Sequence, residues 1–151
     1  CPLLVKAQTQ AFSIDDVFYD TLEEAVENAD DHAVIKLQKD WSIQNSVSIP
    51  GSKHLTLDLN TFTLTSEIDE ASGVLLNVSG EGSFTIENGK LVGADLDGDG
   101  QTGGAISVKN TNFTAENITA SNFHKARDGG VINGETKNFI LNKCNFNNNS
   151  A

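Results

Sequence analysis

The sequence predicts an all-β protein: a right-handed, single-stranded parallel β-helix of about four to five coils with an N-terminal capping α-helix. Three observations predict this fold. They are a recurring spacing of apolar anchor residues, apolar–polar alternation of period two, and one amphipathic helical stretch near the N-terminus. We expect an N-terminal segment and capping helix in residues 1–33 and β-helix coils in residues 34–151, with coils continuing beyond this chain.

The capping helix is predicted by the stretch DTLEEAVENADD. Thr21 is a favourable N-cap, and Glu24 follows three residues later, which is the spacing of a capping box. A stack of coils needs such a cap, because its first coil would otherwise expose apolar core and unpaired strand edges. The apolar residues that share one helical face are Leu22, Ala25, Val26 and Ala29.

The coils are predicted by four aligned segments, HLTLDLNTFTL, SFTIENGKLVG, NFTAENITASNF and NFILNKCNFNN. Their anchors Leu55, Phe84, Phe113 and Phe139 are 29, 29 and 26 residues apart. A second series, GVLLNV, GAISVK and GVINGE, recurs at spacings of 31 and 26 residues. Apolar and polar residues alternate within each segment, as in half-buried strands, and no helical pattern lies between them. Each recurrence therefore predicts one coil of short strands, stacked about 4.8 Å above the last.

Two sets of residues are predicted to stack from coil to coil. Asn88 and Asn117 each follow an anchor by four residues, a position at which asparagine side chains form hydrogen-bonded ladders. The phenylalanines are expected to stack as core inside the coils, at positions Phe84, Phe113, Phe123, Phe139 and Phe146.

Charge and cysteine content restrict the partners. The net charge of −11 and the pI of about 4.4 argue against nucleic acid, whose phosphates need a basic surface, and against anionic lipid. No apolar stretch is long enough for direct membrane insertion. Cys1 and Cys144 fall at opposite ends of the predicted stack and cannot reach disulfide distance, so Cys144 is predicted to be a buried thiol.

The cellular location is predicted from composition and from the first residues. Few cysteines with abundant Asn, Thr, Ser and Gly are typical of exported bacterial surface proteins, which predicts a secreted or cell-surface location. The opening stretch CPLLVKAQTQA is consistent with a signal-peptide remnant, with a lipid-modified Cys1, or with a plain boundary of the chain.

Short motifs in the C-terminal part carry a family resemblance. GGAI at residues 103–106, GGVI at 129–132, FILN at 139–142 and FNNN at 146–149 resemble the bacterial polymorphic outer membrane protein repeat. The N-terminal half resembles the opening coils of pectin-lyase-like bacterial surface proteins. The resemblance implies an adhesin-type, non-catalytic surface module that binds a host surface protein or a glycan. Neither an autotransporter barrel nor a wall-anchoring signal accompanies it.

One acidic stretch is a candidate metal site. DLDGDGQ matches the first half of an EF-hand loop, with Asp95, Asp97 and Asp99 as oxygen ligands and Gln101 offering its backbone carbonyl. The twelfth position, normally a bidentate Glu, is Ile106, which argues against a complete EF-hand. A partial Ca²⁺ site and a solvated acidic turn are both left open, and no cofactor is predicted to be required.

Catalysis is not predicted. A lyase-like site could combine the three aspartates with Lys125 and Arg127, but no acid patch is expected on the strands, where a rigid site would be held. The histidines fall in separate segments and are predicted to be exposed, without forming a metal pair: His32, His54 and His124. We therefore expect a non-enzymatic stalk or binding surface. The alternatives are a pectate-lyase-like, polysaccharide-active fragment and a structural module that self-associates end to end through an uncapped C-terminal coil.

Overall fold

The computed structural model describes residues 10–68, 73–93, 104–124 and 130–150. Within these ranges the chain forms one α-helix and fourteen β-strands. In chain order they are β1 (Phe12–Ile14), β2 (Val17–Tyr19), α1 (Leu22–Asn28), β3 (Val34–Leu37), β4 (Trp41–Ile43), β5 (Val47–Pro50), β6 (His54–Asp58), β7 (Thr63–Ser66), β8 (Val74–Ser79), β9 (Ser83–Val92), β10 (Gly104–Lys109), β11 (Asn112–Ser121), β12 (Ile132–Glu135), β13 (Phe139–Asn142) and β14 (Asn145–Asn147).

The strands form two sheets. The larger sheet has ten strands and follows the order β13-β11-β9-β6-β3-β1-β2, with β14 beside β11, β4 beside β7 and β7 beside β9. The smaller sheet has four parallel strands in the order β12-β10-β8-β5. Side chains from both sheets join one buried apolar cluster, which is the core of the described part of the chain.

The predicted single parallel β-helix is wrong, and with it the solenoid, the repeat-protein class and the pectin-lyase-like fold. The chain forms two separate sheets, and the larger one is mixed, because β1 pairs antiparallel with both β2 and β3. The reason for the error is physical. Alternation of period two identifies a strand and its buried face, but it does not specify the direction of the neighbouring strand or the sheet that the strand joins.

The antiparallel pair at the N-terminus is a hairpin that was not predicted from the sequence. Ile14 pairs with Val17 across the two-residue loop Asp15-Asp16, and Asp15 has a φ of 49°. Two-residue hairpin loops favour residues that tolerate positive φ, and aspartate is one of them. The stretch FSIDDVFY therefore carried a hairpin signal within the segment assigned only to a cap.

The predicted anchor residues are nevertheless neighbours. Leu55 pairs with Phe84, Phe84 with Phe113, and Phe113 with Phe139, all between parallel strands of the larger sheet. The ring centroids of Phe84 and Phe113 are 6.3 Å apart, and those of Phe113 and Phe139 are 5.7 Å apart. The predicted spacings of 29 and 26 residues thus correspond to in-register parallel pairing.

The predicted asparagine ladder is confirmed for the two residues named. Asn117 donates its Nδ2 to Oδ1 of Asn88 over 3.1 Å. Both residues have positive φ, 53° for Asn117 and 61° for Asn88, and each lies in the middle of a ten-residue strand. Asparagine tolerates this left-handed conformation better than other side chains except glycine. The ladder therefore lies at equivalent left-handed positions of β9 and β11.

The predicted helix and its apolar face are confirmed. The Thr21 side chain accepts the backbone N–H of Glu24 at 3.2 Å, whereas the Glu24 carboxylate accepts the N–H of Asp20 rather than that of the N-cap residue. The face that packs on β1, β2 and β5 is buried at Leu22, Ala25, Val26 and Ala29. Among the described residues no helix is long and apolar enough to cross a membrane.

Candidate functional site

The most conspicuous surface of the molecule is an apolar patch at its C-terminal end. Among the described residues six large apolar side chains are exposed, and four of them lie on β13 and β14. We call these four the apolar end face: Phe139, Ile140, Leu141 and Phe146, with exposed fractions of 47%, 52%, 41% and 39%. The phenylalanines at 139 and 146 were predicted to be buried core, and that prediction is wrong, whereas Phe84, Phe113 and Phe123 are buried as expected.

Strand register explains why these side chains have core character. Phe139 pairs with the buried Phe113, and Leu141 pairs with the buried Ala115. Phe146 likewise pairs with the buried Ala120. Side chains of paired residues point to the same face of a sheet, so Phe139, Leu141 and Phe146 continue the interior of the protein, whereas Ile140, paired with Thr114, points to the outer face. Within the described ranges no strand pairs with the outer edges of β12, β13 and β14.

An open cleft accompanies the end face. It has a volume of about 500 Å³ and lies between the end-face side chains and the start of β12, near Val131 and Ile132. Asn148, Asn149 and Ser150 form its polar side. Cys144, predicted to be a buried thiol, lies beside this surface; it is half-buried and its Sγ is 3.3 Å from the carbonyl oxygen of Ala115.

The edge of the end face is lined by amides rather than charges. Asn138 donates its Nδ2 to Asn112 at 2.8 Å, and Asn148 donates to Asn122 at 2.7 Å. Lys143 is the only charged side chain in residues 138–150, whereas the whole chain has a net charge of −11. The segment of β13 and β14 is therefore nearly uncharged in a chain that is strongly acidic.

A second feature is a row of carboxylates on the larger sheet. Asp58, Glu87 and Glu116 lie in register on β6, β9 and β11, so neighbouring members are separated by about 4.8 Å of strand spacing. Desolvation, and then the charges of Asp58 and Glu116, raise the pKa of the Glu87 carboxyl. The expectation that no acid patch lies on the strands is therefore wrong. The signal was present, because each acid follows an anchor residue by three positions.

Two members of the carboxylate row are held by amide groups. Oδ1 of Asp58 accepts the backbone N–H of Asn60 at 2.8 Å and Nδ2 of Asn88 at 3.4 Å. Oε1 of Glu116 accepts Nδ2 of Asn142 at 3.2 Å. The row is thus part of the side-chain hydrogen bonding that joins neighbouring strands.

A third feature is a cluster of Asp31, His32 and His54. The two imidazole rings stack with centroids 4.8 Å apart and planes 9° from parallel. Asp31 accepts the backbone N–H of His54 at 2.7 Å, and this bond, followed by its side-chain contact with His54, lowers the pKa of the Asp31 carboxyl. Both histidines are exposed as predicted, and although they fall in separate segments of the sequence their rings lie side by side; the expectation that they form no metal pair stays a prediction. The third histidine lies elsewhere, with its Nδ1 2.8 Å from Oγ of Ser150.

The other predicted site residues fall outside the described ranges. They are Asp95, Asp97, Asp99 and Gln101 of the candidate Ca²⁺ loop, and Lys125 and Arg127 of the lyase alternative. The Ca²⁺ site and the lyase-like site therefore stay predictions. Family membership and surface location, which the polymorphic outer membrane protein resemblance implied, stay predictions as well.

Comparison with known proteins identifies no relative of this chain. No family model, curated protein or solved structure matches the chain, so its function must be inferred from its own residues.

Proposed function

We propose that this chain is a non-catalytic structural module that associates with a second copy of itself through the apolar end face. One observation carries the proposal: side chains in register with buried core residues stay exposed at this end. A contiguous apolar patch bordered by polar groups is typical of a protein–protein contact surface. Unpaired strand edges beside it offer backbone groups to a partner strand.

Charge favours a second copy as the occupant. A chain of net charge −11 repels its own copies over most of its surface. Residues 138–150 hold a single formal charge, on Lys143, so two copies can meet there with little like-charge repulsion. A two-fold contact places the same patch on both sides, and an apolar, near-neutral patch is complementary to itself.

The alternation of β13 specifies the register of the contact. Phe139 and Leu141 face the interior, whereas Ile140 and Asn142 face outward, as the pairing with β11 requires. Two β13 edges related by a two-fold axis run antiparallel. Residues directly opposite each other in such a pair point to the same face of the sheet. If the two-fold axis passes through Ile140, Phe139 of one copy lies opposite Leu141 of the other, and the interior-facing side chains of the two copies form one continuous apolar face. In this register Ile140 lies opposite its own copy.

This register leads to a charge-pair experiment at Ile140. Ile140 is 52% exposed in the single chain, so lysine or glutamate there should leave the fold intact. Ile140→Lys sets two ammonium groups opposite each other and Ile140→Glu sets two carboxylates, and like charges opposite each other destabilise a strand pair. We expect each variant to sediment as a monomer at concentrations where the wild type is dimeric. Mixing the two variants should restore a dimer, because each contact then joins opposite charges.

A matched control lies at the other end of the molecule. Val17 on β2 is 56% exposed and of similar size, so Val17→Lys adds the same charge without touching the end face. We expect it to dimerise like the wild type. The proposal fails if the wild type stays monomeric at millimolar concentration, if Ile140→Lys dimerises normally, or if Val17→Lys abolishes the dimer. Monomeric Ile140 variants that stay monomeric after mixing would exclude the register centred on Ile140.

A further inference from the structure

We propose that Asp31, His32 and His54 form a binding site for a divalent transition metal ion of the Zn²⁺, Co²⁺ or Ni²⁺ type. The inference is independent of the proposed association, since the cluster lies near α1 and the end face lies on β13 and β14. Each of the three residues offers one ligand atom, and these atoms all lie within 4.8 Å of one another.

The backbone holds the cluster together without help from an ion. Asp31 and His32 occupy the centre of a turn closed by the bond from the Ala33 N–H to the Asp30 carbonyl at 3.1 Å. His32 has a φ of 65°, a left-handed conformation in which histidine is tolerated. Val34 then pairs with Thr56 between parallel strands, which brings the residues two positions earlier, His32 and His54, side by side.

Asp31 connects the two histidines. Its Oδ1 accepts the His54 backbone N–H at 2.7 Å and lies 3.0 Å from His54 Nδ1. Its Oδ2 lies 3.5 Å from Nε2 of His32. Because the main-chain bond anchors the carboxylate, Asp31 stays beside both rings whichever nitrogen of His54 carries its proton.

The carboxylate–imidazole separations are in the range that one small cation spans. Ligand atoms at about 2.1 Å from an ion are about 3.0 Å apart at a right angle and about 3.4 Å apart at the tetrahedral angle. The separations of 3.0 Å between Asp31 Oδ1 and His54 Nδ1 and of 3.5 Å between Asp31 Oδ2 and His32 Nε2 are of this size, each imidazole facing a different oxygen of the carboxylate. The widest separation, 4.8 Å, exceeds the roughly 4.2 Å that one ion can span, so one ring must turn slightly. The side chains have room to do so, being 76%, 53% and 48% exposed for His32, Asp31 and His54.

The donor set selects the class of metal. Two imidazoles and one carboxylate suit borderline transition ions, whereas Ca²⁺ and Mg²⁺ prefer all-oxygen sites. Three protein ligands leave at least one position for water. The acidic chain attracts cations in general, so only a site dependent on the two histidines distinguishes this proposal from diffuse binding to carboxylates.

The experiment is a Zn²⁺ titration by isothermal calorimetry on the 151-residue protein with its two cysteine thiols alkylated. We expect one equivalent of Zn²⁺ to bind, unaffected by excess Ca²⁺. His32→Asn removes one ligand but keeps a residue that tolerates positive φ, and His54→Gln keeps the backbone bond to Asp31. Each should weaken Zn²⁺ binding by about tenfold or more, while His124→Ala binds as the wild type does.

A second readout does not depend on heat. Co²⁺ should give the visible absorption of a histidine–carboxylate site in the wild type and in His124→Ala, and lose it in His32→Asn. Zn²⁺ should raise the Tm of the wild type more than that of His32→Asn, since a ligand of the folded state stabilises it. Absence of binding at millimolar Zn²⁺, or equal affinity of the wild type and His32→Asn, would overturn the site.

Discussion

The apolar interior is covered at the N-terminal end of this molecule and exposed at the C-terminal end. At the N-terminal end Phe12 on β1 is fully buried, with its ring edge-on to Trp41 at 6.4 Å, and the helix α1 packs on this strand. At the C-terminal end Phe139 stacks on Phe113 yet remains 47% exposed. Burying a phenylalanine fully is worth about 1.5–3 kcal/mol, so the uncovered end retains a driving force for association.

The difference comes from the elements that cover each outermost strand. At the N-terminus the antiparallel hairpin pairs with β3 through β1, and the buried face of α1 packs beside it. At the other end, within the described residues, β12, β13 and β14 have parallel neighbours on one side only. Burial of an interior-facing residue thus depends on the next layer and is not specified by its own strand pattern.

The largest effect should separate the two phenylalanines that stack on each other. Phe113→Ala removes a ring that is 1% exposed and should lower the free energy of unfolding by about 3–5 kcal/mol. Phe139→Ala, measured on the monomer, should lower it by about 1 kcal/mol, because that ring is half in water already. Urea denaturation at low protein concentration measures both. Equal losses would mean that the two ends do not differ in packing as described.

Phe113 and Phe139 also show which part of the fold could be predicted from the sequence and which part could not. The 29- and 26-residue spacings correctly predicted that Phe84, Phe113 and Phe139 are neighbours, because parallel strands in register bring equivalent positions together. The spacings could not show that Phe139 is exposed, since exposure depends on the layer that covers it. They also could not show that the strands divide into two sheets, one of them mixed.

The candidate sites show a similar division. Asp58, Glu87 and Glu116 follow the same spacing as the anchors and could have been found by extending the alignment three residues. The pairing of His32 with His54 follows a 22-residue step that differs from the later spacings. No short motif marks that step, so the histidine cluster could not be predicted from the sequence.

The covered end can be weakened at the helix N-cap. Thr21→Ala removes the side-chain acceptor of the Glu24 N–H and should lower the free energy of unfolding by about 1 kcal/mol. Thr21→Ser keeps an acceptor at that position and serves as the control. Thermal unfolding followed by circular dichroism compares them. A Thr21→Ala protein as stable as Thr21→Ser would show that the cap does not hold α1 in place.

The smallest effect concerns the carboxylate row between the two ends. The raised pKa of Glu87 means that the folded state favours its protonated form. Ionisation of Glu87 therefore lowers the free energy of unfolding as the pH rises through that pKa. Below the unfolded-state pKa of about 4.3 the group is protonated in both states and this loss is absent. Glu87→Gln should be more stable than the wild type at pH 7, by less than about 1 kcal/mol because water screens the partly exposed group.

The pH profile checks this sign. The Tm difference between Glu87→Gln and the wild type should shrink as the pH falls from 7 to about 3.5 and vanish there. Asp58→Asn is a useful companion, because it removes one of the charges that raise the pKa of Glu87. A Glu87→Gln protein that is less stable than the wild type at pH 7, with the gap closing toward low pH, would show that Glu87 is stabilising when ionised.

The most direct test of self-association is hydrogen–deuterium exchange at two protein concentrations, with the two ends of one molecule compared. If copies pair through the apolar end face, peptides covering 139–147 should exchange more slowly at high concentration. Peptides covering 17–19 on the exposed strand β2 should exchange at the same rate throughout. Equal exchange of residues 139–147 at both concentrations, or protection that develops at β2 instead, would contradict the account.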